Sequence, residues 1–129
     1  MGGFLQNDRV NRVHMKYTIY HHPRCQKSRQ TLALLQKNHI QPRIVEYLKS
    51  PFTISELEEI LKVLKLRPSQ LIRRKEELMK KLKLDLTNEK KVLDAMVMYP
   101  ELIERPIVVS DHGAIVGRPP ENVLALINQ

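Results

Sequence analysis

Two short stretches, Tyr17–His21 (YTIYH) and Arg43–Tyr47 (RIVEY), are rich in β-branched and aromatic residues among polar ones. Runs of this composition predict short strands. Between them Leu32 and Leu35, flanked by Leu34, recur at helical spacing, and the pattern predicts a helix over 26–38. Strand, helix and strand in so short a span make a β-α-β unit whose two strands are parallel neighbours. From Pro51 the period changes. Thr53 and Glu56 form a capping-box pattern ahead of Leu57, Ile60, Leu61 and Leu64, which predicts a helix over 54–65. Pro68 opens a helical turn, and 76–83 forms another short helix. Thr87 caps a helix over 88–99, with Val92, Leu93, Met96 and Val97 facing inward and Pro100 ending it. Short β-type apolar runs return at 106–110 and 114–117 around an Asp-His-Gly turn, a hairpin pattern. Pro119 and Pro120 then start a last helix with Val123, Leu124 and Ile127 on its apolar face.

The order is therefore β-α-β, an all-helical insert over about 52–104, then β-β-α. That is an α/β chain on the thioredoxin-type plan: a four-stranded mixed sheet with helices packed on it, interrupted by the insert. The chain of 129 residues is long enough for one domain with its own core, expected over 16–129. Residues 1–15 read as a polar tail, expected to be partly disordered. The tail has no apolar run typical of a secretory signal, and no stretch approaches the ~20 apolar residues that span a bilayer. A cytoplasmic protein without a membrane partner is the expectation.

Charge changes this picture only locally. The formal net charge is +8. Between Lys65 and Lys91 there are ten Lys/Arg against four Asp/Glu, so most of the excess sits in one central stretch. A solvated helical face accounts for it, and an anion-attracting field is the sharper alternative. Few aromatics interleave with these charges, so nucleic acid is not an expected partner.

Cysteine changes it more. Cys25 is the only one, so no intramolecular disulfide forms, in keeping with a reducing compartment. By itself a lone cysteine is usually a small hydrophobe. This one stands where the first strand hands over to a helix N-terminus, with Arg24, Lys27 and Arg29 nearby. A helix N-terminus and adjacent cations both lower a thiol pKa. The amides of 26–28 make an anion cradle, and the Ser28 hydroxyl stands ready to donate to a thiolate or a bound oxyanion. His21, four residues upstream, is a partner for the thiolate or for a proton donor, or simply a packed strand-end histidine. His14, His21, His22 and Cys25 match no common zinc spacing, so no metal is expected. Three arginines sit at element ends: Arg73 after Leu71-Ile72, Arg105 directly before Pro106, and Arg118 directly before Pro119. An adjacent proline restricts the backbone and hence the side-chain direction.

With these residues the chain resembles the arsenate reductase family of the glutathione- and glutaredoxin-coupled type. Tyr20 to Arg29 (YHHPRCQKSR) resembles its Y-H-x-P-x-C-x-x-S-R loop. Leu71 to Lys75, Ile103 to Val109 and Gly117 to Pro119 resemble three further segments in the same order. The resemblance covers 16 to about 128. It implies that Cys25 is the nucleophile that attacks arsenate and that Arg73, Arg105 and Arg118 gather around the oxyanion, with His21 and Ser28 in support. It also implies a cis bond before Pro106. No tightly bound cofactor is implied. Glutathione is the co-substrate, glutaredoxin the partner, and arsenite the product. A related reading, a thioredoxin-fold regulator that contacts RNA polymerase, commonly uses a Cys-x-x-Cys pair, and here Ser28 holds the second place. A reductase-like paralogue with another thiol-linked substrate is the remaining alternative.

Overall fold

The structure is a computed structural model and describes residues 17–128. The expected polar tail and the last residue, Gln129, lie outside the described residues. Two compact units are present, one formed by 17–46 with 105–128 and the other by 47–104.

The first unit holds the sheet. Its elements are β1 (Thr18–His21), α1 (Gln26–Lys37), β2 (Arg43–Glu46), β3 (Ile107–Ser110) and β4 (Gly113–Val116). The strand order is β2-β1-β3-β4. β1 runs parallel to β2 and antiparallel to β3, and β3 pairs antiparallel with β4. This is the mixed four-stranded α/β arrangement expected on the thioredoxin-type plan. The register aligns Ile44, Ile19, Val108 and Ile115 across the sheet. Ile19 and Val108, at the centre of that row, are fully buried. Tyr17, Ile19 and Val108 join Leu35, Ile40, Val123 and Leu126 in one apolar cluster. Helix α1 buries Ser28, Thr31 and Leu35, a stripe at helical spacing. Two of those three are polar, which shows that the N-terminal half of the helix is built around something other than apolar burial.

The far end of this unit departs from the expectation. Pro120–Asn122 forms a 3-10 turn, and the last helix begins only at Val123. Asn122 Nδ2 donates to the Arg118 carbonyl at 3.0 Å, a local bond that holds the preceding turn. β4 ends at Val116, so Gly117 leaves the ladder, and its N–H donates to the Pro106 carbonyl at 2.9 Å. A Cβ on Gly117 would lie 2.5 Å from Thr31 Oγ1 and 2.9 Å from Pro106 Cγ. Nothing but glycine lets this strand end meet α1. Gly117→Ala is expected to cost about 1–3 kcal/mol, as overpacking typically does, and Thr31→Ala in the same chain is expected to recover part of it. Urea unfolding of the single and double variants measures this, and an unshifted midpoint for Gly117→Ala would contradict the close approach.

The second unit is helical: α2 (Ile54–Leu64), α3 (Pro68–Leu71), α4 (Leu78–Leu82), α5 (Glu89–Met98) and a 3-10 turn Pro100–Leu102. The capping box forms as the sequence implied. Glu56 N–H donates to Thr53 Oγ1 at 3.1 Å, and Thr53 N–H donates to Glu56 Oε1 at 3.0 Å. The next cap differs. Asn88, not Thr87, caps α5, accepting the Lys91 N–H at 3.1 Å. Thr87 instead bonds Asp85 at 2.6 Å. The two residues compete for the same role, and a carboxylate two positions back claims the hydroxyl. Ser69 N–H and Oγ both bond Glu89, at 2.8 Å each, tying α3 to α5. No helix among the described residues is long and apolar enough to cross a membrane.

Candidate active site

The loop from His22 to Cys25 is closed by its own backbone. Cys25 N–H donates to the His22 carbonyl at 2.9 Å, and Arg29 N–H makes the first helical bond, to the Cys25 carbonyl, at 3.0 Å. The Arg29 guanidinium reaches back to the Pro23 carbonyl at 2.9 Å. That side chain acts as a strap across the turn. The sequence reading noted Arg29 only as a nearby charge, although it closes the loop motif.

Cys25 is thus the N-cap of α1, with extended backbone angles. Helix α1 has no acidic residue in its first turn, so the positive end of the helix dipole is left to the sulfur. Partial burial pushes the Cys25 thiol up. The Ser28 amide, the Arg105 guanidinium and the Lys27 amide outweigh this and hold it below its ordinary value. The sulfur makes no regular capping bond. These donors lie around it and favour the charged form rather than fastening the neutral thiol.

The Ser28 side chain has a different task from the one expected. Its hydroxyl lies 2.7 Å from His21 Nδ1 and accepts the His22 N–H at 3.0 Å. Only its backbone amide serves Cys25. Ser28 is fully buried and His21 nearly so, and a buried hydroxyl must find partners inside the protein. The strand end offers them. Burial pulls the His21 pKa down; the Glu46 carboxylate opposes this and Arg29 adds to it. A neutral ring whose Nδ1 accepts the Ser28 proton satisfies both groups. His21 and Ser28 are therefore brought together, and between them they brace the first turn that holds the cysteine.

Arg105 and Arg118 come from the two sides of one backbone bond. The Gly117–Pro106 hydrogen bond lies one residue from each. The peptide bonds Arg105–Pro106 and Arg118–Pro119 are both cis; the resemblance implied the first and not the second. Arg105 reaches the Cys25 sulfur. No hydrogen bond or ion pair engages the Arg118 guanidinium among the described residues. Arg73 belongs to the helical unit. Its N–H donates to the Leu102 carbonyl at 2.6 Å, beside an Ile72–Ile103 bridge. Its guanidinium lies 3.5 Å from a Glu76 oxygen and 3.4 Å from a Glu104 oxygen. The sequence reading singled out neither of those two carboxylates. Among the described residues no three His, Cys, Asp or Glu side chains gather to hold a metal.

A sequence model of the ArsC family matches residues 20–126. The chain belongs to the ArsC family. Its sequence is 46% identical over 112 residues to the uncharacterized protein YfgD of Escherichia coli, covering 84% of this chain and 94% of that one. An arsenate reductase of Haemophilus influenzae is 43% identical over 116 residues, covering 88% of this chain and all of the other. Among solved structures, the arsenate reductase from Vibrio cholerae superposes with a TM-score of 0.80 at 42% identity, over 84% of this chain and 95% of that one. The ArsC match begins at Tyr20 and ends at Leu126. It therefore takes in the cysteine loop, both cis-proline segments and Arg73.

Proposed function

We propose that this ArsC-family protein reduces arsenate to arsenite, with Cys25 as nucleophile and external thiols as the source of electrons. The observation that carries this reading is the placement of Cys25. A thiol at a helix N-terminus, beside an arginine and favoured as its thiolate, suits attack on an oxyanion that would otherwise repel it. The relatives named arsenate reductase support the choice of arsenate.

The chemistry runs in two stages. The Cys25 thiol and arsenic acid condense with loss of one water, forming an S–As bond while arsenic remains pentavalent. A second thiol then attacks the Cys25 sulfur. The S–S bond forms, the S–As bond breaks with its electron pair left on arsenic, and the thiol proton passes to the departing arsenite. Arg105 and Arg118 neutralise and orient the oxyanion and stabilise the charge that develops as oxygen leaves. Arg73 keeps the role that the resemblance implies, as a third guanidinium. His21 and Ser28 hold the first turn. Glutathione is that second thiol, and glutaredoxin supplies the further thiol that reduces the mixed disulfide left on Cys25, in the reducing cytoplasm.

The test is arsenate-dependent NADPH oxidation with glutathione, glutathione reductase and glutaredoxin present. Turnover that requires arsenate and glutathione, and falls when glutaredoxin is omitted, is the expected result. Absence of arsenate-dependent oxidation would overturn the assignment.

A further inference from the structure

One face of α1 is not accounted for by the site above. Lys27, Gln30, Leu34 and Lys37 recur three or four residues apart and so share a face, with Ala33 beside them. Together with the Pro119–Glu121 turn they bound a groove of about 570 Å³, within the ~300–1,000 Å³ range of small-ligand sites. Ala33, Leu34, Pro119 and Pro120 provide apolar wall, while Lys27, Lys37 and Glu121 provide charge. The near end of the groove adjoins the reactive loop twice. Lys27 lies in the first turn of α1, where its amide serves the Cys25 sulfur, and Pro119 directly follows Arg118.

We propose that this groove seats the thiol that attacks Cys25, and that its occupant is a short peptide thiol carrying two carboxylates and one ammonium group. The proposal rests on the thiol-dependent reaction above and adds where the thiol binds. Three observations converge on it. Cys25 is the only cysteine in the chain, so the resolving thiol comes from outside and must approach this turn. The groove offers two ammonium groups and one carboxylate, the inverse of the charges on such a peptide. The dimensions also agree. Lys27 and Lys37 are ten residues apart on α1, roughly 15 Å along its axis. An extended tripeptide spans about 10 Å, and the Lys37 stem leans toward the helix N-terminus, shortening the difference. With its thiol at Cys25, the peptide lays one arm down the groove toward Lys37.

The test uses the whole protein and no arsenate. Cys25 is converted to its 2-thiopyridyl disulfide. Attack by an added thiol on the Cys25 sulfur releases one thiopyridone, read by absorbance, and leaves the thiol joined to Cys25. Glutathione is the probe, and 2-mercaptoethanol, which has no charge to place, is the control. Ala33→Trp fills the groove, and Lys37→Met removes the charge at its far end. Each is expected to slow glutathione by about fivefold or more, the scale of a lost ion-pair contact, and to leave 2-mercaptoethanol within about twofold. Equal rates of glutathione attack in wild type and both variants would overturn the proposal. So would equal slowing of both thiols, since that would place the effect on Cys25 itself. The two readings also fail separately. Arsenate turnover with unaltered glutathione selectivity rejects only the groove, and wild-type protein that releases thiopyridone selectively but never consumes arsenate rejects only the reaction.

Discussion

Cys25→Ser is expected to reduce thiol-dependent arsenate reduction to background, a loss of more than about a thousandfold, as for other single essential nucleophiles. A hydroxyl is not ionised by the helix end and one arginine, and a serine-bound arsenic ester offers no sulfur for a thiol to attack. The loss will not come from unfolding. Position 25 is the N-cap of α1, and serine is among the preferred N-cap residues, so the variant should be at least as stable as the parent. Arsenite release together with thermal unfolding checks both halves. Because the chain has a single cysteine, iodoacetamide should add one label to the wild type and none to the variant. Residual turnover above background in Cys25→Ser would remove Cys25 from the mechanism.

Arg105→Ala should act twice, and the two effects are separable. The guanidinium favours the Cys25 thiolate, so its removal raises the thiol pKa. The sign follows directly. With Arg105 present the thiolate forms at lower pH; without it, the rate of alkylation rises only at higher pH, and the midpoint of the profile moves up. At neutral pH the variant has less nucleophile. It also lacks one donor for the oxyanion, which commonly costs about 10²–10³-fold in turnover. Arg105→Lys divides the effects. It restores a positive charge near the sulfur, so the alkylation midpoint should return most of the way. It lacks the planar fork that matches an oxyanion, so kcat/KM for arsenate should stay low. An Arg105→Ala alkylation profile that overlays the wild type would show that the amides of Ser28 and Lys27 hold the thiolate alone.

Much of the fold was legible because its signals are local. The β-type runs at 17–21 and 43–47 around a helical stripe led to a parallel β1–β2 pair, since so short a crossover leaves little choice. The Thr53–Glu56 box formed at the expected residues because both partners lie within one turn. Where two residues competed for one local role, the prediction faltered. Thr87 and Asn88 are both good caps, and only the Asp85 carboxylate decided between them. The last helix started late because the Arg118–Asn122 turn has hydrogen bonds of its own.

The candidate site divides in the same way. By itself the sequence marked out the candidate site residues: a single cysteine at a strand–helix junction, a serine three residues on, and arginines directly before two prolines. Spacing along the chain is enough for that, because helix ends and proline neighbours constrain the backbone within a few residues. Only the tertiary structure decided what each side chain faces. The Ser28 hydroxyl points to His21 because burial forces it to seek a partner at the end of β1. Arg105 reaches the sulfur because β3 pairs with β1, which brings residues about ninety positions apart into register. Arg73 is held by Glu76 and Glu104, one of them a turn away and the other reached only through the Ile72–Ile103 bridge. Contacts made across such distances depend on which strands and turns meet in space, and spacing along the chain does not encode that directly.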